Sequence, residues 1–485
     1  MSLCLAVGSP ALITYSLTIT MLNRYWVRRV FRELLDNLHP QTRARYKRQV
    51  NGVQYFLAEA QQVPIQVPAE LSEIRRLLAP GMEVWWRGLN GRLRRSRRGV
   101  TASLVAQVLS AVIAYTFTVI ASFIAAIDSL DPVMQISAGT LWVWLIPVIC
   151  GWVIVGTQSS HDAVEDALRV RHLNPSSGVQ SSPNIPEPEN DGITVRHYGN
   201  TRQSLWFGLN FAGDELQKGP VYNYARVLTW WQTVNAFIET TRAIDRSHAA
   251  ETEPTWQPDN KPQTPTLQPV INEVSESEIT VLPISQDEVF IETYPRLASI
   301  PPEMWWRIIL ASLMALSVQW GTTGASVIIA ILTPVKGLGC RSGSYALYGV
   351  LGTFSWLVLL VSMLLSHAAM SRPARSTAHR WYGRLAIVSR CLGKTIAVIN
   401  AAWLASSTIF ENIGFYDNCW CHSVVLQYGV DAWVILFRTE EEFRREAKNS
   451  WPGGIAMTMI VAALSVLVFA LGSRNDSTSG DDEYD

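Results

Sequence analysis

Ile308-Ile-Leu-Ala-Ser-Leu-Met-Ala-Leu-Ser-Val-Gln-Trp-Gly-Thr-Thr-Gly-Ala-Ser-Val-Ile-Ile-Ala-Ile-Leu332 contains no Asp, Glu, Lys or Arg. As an α-helix the run is about 37 Å long at 1.5 Å per residue, enough to cross a hydrocarbon layer roughly 30 Å thick. Met304-Trp-Trp-Arg307 stands just before it, with the rings and the cation that anchor a helix at a membrane boundary. Comparable blocks follow at Tyr345 to Ser366, Leu385 to Phe410 and Ile455 to Leu471, and others precede at Leu3 to Leu22, Thr101 to Ile127 and Ile136 to Gly156. The expected fold is therefore an all-α, polytopic transmembrane helix bundle of about seven spans, with a long and partly disordered cytoplasmic loop.

Composition agrees with that class. The chain has 485 residues, of which only 16% are charged, and a mean hydropathy of +0.12, too apolar for a string of soluble domains. Forty basic residues balance forty acidic ones, so the chain as a whole offers no electrostatic argument for nucleic-acid binding. Six cysteines in this length exclude a disulfide-dense secreted scaffold.

Local charge orients the spans. Leu3 to Leu22 has no basic residue before it and Arg24, Arg28, Arg29 and Arg32 after it, the reverse of a signal peptide. It reads as an uncleaved anchor with the N-terminus extracytoplasmic. Between Asn23 and Gly99 there are sixteen Lys or Arg against six Asp or Glu, which keeps region 23–99 in the cytoplasm. The connection Asp128 to Pro132 carries no cation and belongs outside, and the loop with Arg372, Arg375, Arg380 and Arg384 carries no acid and belongs inside. Arg390 and Lys394, one turn apart near the cytoplasmic end of their span, are expected to snorkel. The organisation is an anchor (1–22), the basic region (23–99), a helix pair (100–156), a cytoplasmic loop (157–303), a C-terminal bundle (304–472) and an acidic tail (473–485). Val424 to Phe437 is apolar but short and contains Asp431, so it reads as a re-entrant or interfacial piece; were it to cross, there would be eight spans. Nineteen tryptophans are many, and Trp26, Trp85, Trp86, Trp305, Trp306, Trp381 and Trp451 at span ends read as interfacial belts.

The span from Thr101 repeats small residues every fourth position, at Ala102, Ala106, Ser110, Ala114, Thr118, Ser122 and Ala126. One helix face is then small throughout, a seam for close packing against another helix or against another membrane protein. In the cytoplasmic loop, His172 to Gly192 and Ser247 to Gln286 are proline-rich and polar and are expected to be disordered. Between them Tyr224, Val227, Leu228, Trp231, Val234 and Ile238 fall at helical spacing. That predicts an amphipathic helix near 222–244, docked on the bundle or lying in the headgroup region.

Candidate chemistry is sparse. Cys340, Cys419 and Cys421 all lie in connections assigned to the outside, where disulfides persist. A bridge from Cys340 to Cys419 or Cys421 would close a loop of about eighty residues and contribute about 4 kcal/mol in the chain-entropy model. The rival is a metal site of Cys419, Cys421 and His422 with Cys340, whose one-residue Cys spacing departs from that of zinc knuckles; the bridge is the favoured reading. Gly337, Gly339 and Gly343 miss the dinucleotide-binding spacing and need only serve a tight turn. Polar residues within spans cluster at Gln319, Thr322 and Thr323 and at Asn400, a candidate intramembrane polar site. With no mid-membrane carboxylate evident in the spans, and no nucleophile–base pair or histidine cluster, no catalytic residue, metal ligand or cofactor site is assigned.

The tract from Gln319-Trp-Gly-Thr-Thr-Gly-Ala-Ser-Val through Tyr345, with Val221-Tyr-Asn-Tyr-Ala-Arg226, Trp230-Trp231 and Tyr416-Asp-Asn-Cys-Trp-Cys421, resembles uncharacterised multi-pass integral membrane proteins of filamentous fungi. The resemblance covers the C-terminal two thirds. It implies a helical membrane fold and an accessory role beside biosynthetic genes, and it implies no activity. The functional expectation is a non-enzymatic scaffold or accessory protein of the plasma membrane or an endomembrane, with lipid and other membrane proteins as partners. The alternatives are a small-solute transporter, whose path would pass Gln319, Thr322, Thr323 and Asn400, and a membrane-embedded enzyme.

Overall fold

The computed structural model describes residues 1–66, 71–96, 102–125, 131–155, 161–169, 193–195, 213–217, 219–252, 295–333, 337–373, 376–422, 425–431 and 440–477. Both proline-rich stretches expected to be disordered lie outside these residues, apart from the start of the second. The described architecture is helical, with one two-residue antiparallel pairing of Ile65–Gln66 (β1) with Thr194–Val195 (β2).

Among the described residues, five helices are long and apolar enough to cross a membrane, or six if the bent N-terminal pair is taken as one. Pro302–Leu332 (α11), Cys340–Met370 (α12) and Thr377–Asn412 (α13) run up, down and up. Glu440–Ser477 (α16) lies antiparallel to α11: Thr458 Oγ1 donates to the Gly321 carbonyl at 3.3 Å, and Gly454 packs on Ile329 while Gly472 packs on Met21. Asp131–Thr140 (α7) and Leu145–Val155 (α8) form one crossing through an irregular turn, joined to α11 by Ser137 Oγ and the Ser326 carbonyl (2.8 Å). Because α13 ends, and α16 begins its antiparallel course, at the same end of the bundle, the intervening Cys419–His422 (α14) and Val425–Tyr428 (α15) stay at that end. Gln427 there accepts from the Leu338 N–H at 3.0 Å. The described residues of the short apolar piece, Val425 to Asp431, therefore lie at the end where α13 stops.

The N-terminal block is not the straight anchor that its composition suggested. Ser2–Gly8 (α1) and Pro10–Asn37 (α2) meet at 105°. The reason is local: Pro10 has no N–H to give back to α1 and pushes Ser9 out of the helical region, to φ −147° and ψ 81°. From the bend, α2 runs antiparallel to α11, with Ala11 beside Gln319 and Asn23 beside Arg307, so the bend sits halfway along α11. Residues Pro10 to Thr20 are all buried, whereas α12, α13 and α16 keep exposed apolar residues such as Val350, Phe354, Val388, Ile399, Leu464 and Leu467. The first half of α2 is thus the central helix of the bundle, and the others form its apolar outer wall.

A second layer of helices covers the arginine-rich end. Pro40–Glu59 (α3), Leu71–Leu78 (α4), Glu83–Ser96 (α5), His161–Arg169 (α9) and Asn223–Thr252 (α10) share a core with α2 that contains Phe31, Phe56, Trp86 and Phe237. The amphipathic helix expected near 222–244 is α10, and it docks rather than floats: Trp230 and Trp231 are buried, and the Trp230 indole donates to the Leu57 carbonyl at 3.0 Å. The basic region is accordingly more than a solvated surface. Arg92 caps the last turn of α9 through the Ala167 carbonyl (2.8 Å), where a cation also meets the negative end of the helix dipole.

Two further expectations are corrected. The interfacial belt is smaller than the seven tryptophans proposed, because Trp26, Trp86 and Trp451 are buried, while Trp306 and Trp381 are exposed. And Ala102–Ala125 (α6) leaves much of the described part of its small-residue face exposed. Ala106, Ser110 and Ala114 are exposed, with Thr118 half-buried. The helix meets α7 through the opposite face, where Val119 packs on Ile136 and Tyr115 hydrogen-bonds Thr140 at 3.0 Å; the larger side chains there bury more area per turn.

Candidate functional site

The four polar span residues surround the α1–α2 bend or lie one turn from it. Breaking a helix in a membrane frees carbonyls and N–H groups that lipid cannot satisfy. Here side chains supply the partners. Gln319 Oε1 accepts from the Ala11 N–H at 3.1 Å, Asn400 Nδ2 donates to the carbonyls of Gly8 (2.7 Å) and Tyr348 (3.0 Å), and the Tyr348 hydroxyl donates to the Val7 carbonyl at 2.8 Å. Ser9 Oγ closes the ring on the Gly352 carbonyl (2.7 Å). Gly352 leaves room for this: a Cβ would stand 3.2 Å from the Gln319 amide nitrogen and 3.3 Å from the Gly8 oxygen, tight enough to press on both. Thr323 takes the Gln319 amide at 3.5 Å, and Thr322 bonds back to the Val318 carbonyl at 2.9 Å. Gln319, Thr322, Thr323 and Asn400 are each fully enclosed. Sequence reading brought the right residues forward but not their shared purpose, since nothing in the spacing links positions 9, 319 and 400.

A buried ionic cluster lies toward the arginine-rich end of α13, and sequence reading missed its acid. Lys394 does not snorkel. Its ammonium is fully buried and salt-bridged to Asp214, from the turn at 213–217. Arg390 Nε stands 3.9 Å from the other Asp214 oxygen and its Nη2 donates to Ser366 Oγ at 2.9 Å. The Tyr224 hydroxyl, at the start of α10, donates to the same carboxylate, and the Lys394 ammonium sits 5.6 Å from the centre of the Tyr222 ring. The turn itself is fixed by Arg226, which donates to the carbonyls of Glu215 (2.7 Å), Gln62 (2.7 Å) and Gln217. The expectation that the bundle holds no buried carboxylate is thereby corrected: the acid comes from the loop, about 180 residues before its partner. The only signal in the sequence was two cations placed a turn deep in an apolar helix, which demand an anion from somewhere.

The electrostatics follow from burial. Tyr222 is pushed up to about 12, chiefly by desolvation, with the Asp214 charge adding and a hydrogen bond from Ser2 opposing. Tyr224 is raised well above its ordinary value by burial first and by Asp214 second. Burial draws Arg226 down to about 10 against the pull of Glu215 and Asp214. A second buried pair, Arg24 with Glu59, stands where α2 leaves the bundle, and Arg24 also caps α8 at the Val155 carbonyl (2.8 Å).

At the opposite end Cys340 and Cys421 are bridged, with Cα atoms 4.9 Å apart, one of the two pairings expected. With those sulfurs bonded to each other, the four-ligand metal alternative loses two thiolates; Cys419 is left outside the bridge. Beside it Arg341 pairs with Glu411 at 2.8 Å and Asp417 at 3.0 Å, and the Tyr345 hydroxyl donates to Glu411 at 3.0 Å. Ser344, Ser407 and Tyr416 close a triangle of hydroxyls at 2.9–3.1 Å. Each of these groups is engaged with another, which makes a clamp between the loop after α11 and the loop after α13. Among the described residues no group of three or more His, Cys, Asp or Glu could hold a metal ion. In comparisons with known proteins, no family model, no curated protein and no solved structure matches this chain.

Proposed function

We propose that this chain is a non-enzymatic membrane scaffold whose bundle is filled by its own N-terminal helices. The observation that carries the reading is the closed centre: α2 is enclosed from Pro10 to Thr20, and the residues a solute path would use, Gln319 and Asn400, are spent on the broken backbone. A carrier needs polar groups that face water or a ligand, and the Gln319 amide oxygen and the Asn400 amide nitrogen face peptide bonds. The expected outward N-terminus is replaced in this reading by a re-entrant hairpin, with both chain ends on the arginine-rich, cytosolic side. Three contacts support it. Ala11 meets α11 only at its midpoint, the hydroxyl of Tyr222, whose ring lies beside Lys394, hydrogen-bonds Ser2, and Gly219 packs on Ser2. The small face of α6 (Ala106, Ser110, Ala114) is the surface we assign to a second membrane protein, and lipid covers the rest of the wall. Nucleic acid has no place in this reading, and an accessory role in a biosynthetic pathway is compatible with it.

Stopped-flow light scattering on proteoliposomes tests the closed centre. With water, glycerol, urea, amino acids and hexoses as osmolytes, the full chain is expected to shrink and swell vesicles at the rate of protein-free ones. A solute-specific acceleration overturns the scaffold reading in favour of the second, a carrier. One observation favours that second reading: Asp214 and Lys394 form a dry ion pair between a loop and a membrane helix, which a moving carrier could exchange. In that case Asp214→Asn abolishes the flux.

A further inference from the structure

Where α11 enters the bundle, the chain before it does not lead straight in. Leu297–Ser299 forms a 3-10 turn that lies across the first turns of α11, held by His367 of α12 on the Pro295 carbonyl at 2.9 Å and by Ile300, whose side chain is buried. Between the turn and the helix is a groove of about 560 Å³, lined by Leu297, Ala298, Ile300, Trp305, Trp306 and Ile309 among others, every one apolar or an indole. That volume lies within the roughly 300–1,000 Å³ of ordinary ligand sites. The groove is open on one side and continues into the exposed strip Ile309, Leu310 and Leu313 along α11, which is part of the apolar outer wall described above. Arg296, exposed, stands immediately before the lining residues.

We propose that this groove seats one acyl chain of an anionic phospholipid of the cytosolic leaflet, with Arg296 at its headgroup. Continuity decides the occupant. A concavity that opens onto an exposed apolar strip beside interfacial tryptophans meets lipid at molar local concentration, and the side chains lining it offer no hydrogen-bonding group beyond indoles, which favour the membrane boundary. Charge complementarity decides the headgroup, because the cytosolic leaflet is anionic and a nearby Arg adds attraction of about 1 kcal/mol, close to a fivefold preference.

The test is native mass spectrometry of the full-length chain released from nanodiscs of equimolar phosphatidylglycerol and phosphatidylcholine with matched acyl chains. One phosphatidylglycerol is expected to remain bound per chain. Ala298→Trp, which fills the groove with an indole, is expected to cut the retained fraction at least tenfold at unchanged melting temperature. Arg296→Gln is expected to keep a lipid but to lose the roughly fivefold preference for phosphatidylglycerol. Equal retention by wild type and Ala298→Trp, a free fatty acid in place of a phospholipid, or no retained lipid at all would each overturn the proposal. The inference rests on the bundle lying in a bilayer, and alkaline carbonate separates the two: a chain stripped from membranes by carbonate fails that premise, and one retained but lipid-free fails the groove alone.

Discussion

Lys394 and Asp214 carry the largest single-residue stake in the molecule. Each charge is fully enclosed, so the desolvation cost is met only while the other is present. Replacing Asp214 by Asn leaves Lys394 and Arg390 buried beside a neutral amide. The expected loss is about 3–5 kcal/mol, read as a lower melting temperature of the detergent-solubilised chain. Combining Asp214→Asn with Lys394→Met should return the Lys394 share of that loss, since that ammonium no longer needs an anion, while Arg390 stays beside the amide; a double variant as weak as the single one would remove the ion pair from this account. Alkaline titration reads the same neighbourhood. Tyr222, raised to about 12 in the fold, contributes stability that is present below its unfolded value near 10 and is lost as pH rises through 12. Tyr224 has the same sign. Arg226, lowered to about 10, opposes them across the same window because the unfolded chain holds its proton longer. Two tyrosines outweigh one arginine, so the melting temperature should fall between pH 10 and 12, and Tyr222→Phe should flatten that fall.

Among the elements, the α1–α2 break is the one on which the rest is arranged. Proline at position 10 could have been accommodated as the first residue of a helix that begins there, and that is what α2 does. What composition alone could not reveal is that the seven residues of α1 turn back instead of continuing the crossing. The turn needs close backbone contact, which Gly8 permits: a Cβ there would lie 1.8 Å from the Ala397 carbonyl oxygen. Gly8→Ala is therefore expected to separate α1 from α13, costing more than about 2 kcal/mol by overpacking and raising the reactivity of the neighbouring Cys4 toward maleimides. Unchanged stability and labelling would show that α1 is not seated as described. α10 was legible from its apolar spacing, but the choice between docking and the headgroup region came from the structure, where nearly all of its apolar stripe found protein partners. The α6 stripe was legible as a pattern but not as a contact, because small residues gain only when a partner approaches closely and α7 chose the bulkier side.

At the scale of the whole molecule, the charge distribution and the helix directions agree: the ends of α11, α12 and α13 that carry Trp306, Arg372 and Arg380 lie together, and the disulfide clamp lies at the other end. The re-entrant reading then makes a topological prediction. An epitope placed before Ser2 should be protected in intact cells and reachable once the plasma membrane is selectively permeabilised, as should one near Arg380. An epitope exposed from outside at the N-terminus would restore a straight-through first span and open the centre of the bundle.

Helix class, the approximate limits of the long apolar crossings, the arginine-rich side and the cysteines able to bridge were all decided by the chain's own order of residues. Each depends on length, hydropathy or charge within one contiguous segment, and those add up locally. The bend at Ser9, the acid that meets Lys394, the choice of Cys421 over Cys419 and the exposed face of α6 were decided only by tertiary structure. Each requires groups tens to hundreds of positions apart to satisfy one another in a medium where an unpaired peptide group or charge costs several kcal/mol, and no local pattern encodes which distant partner will do so.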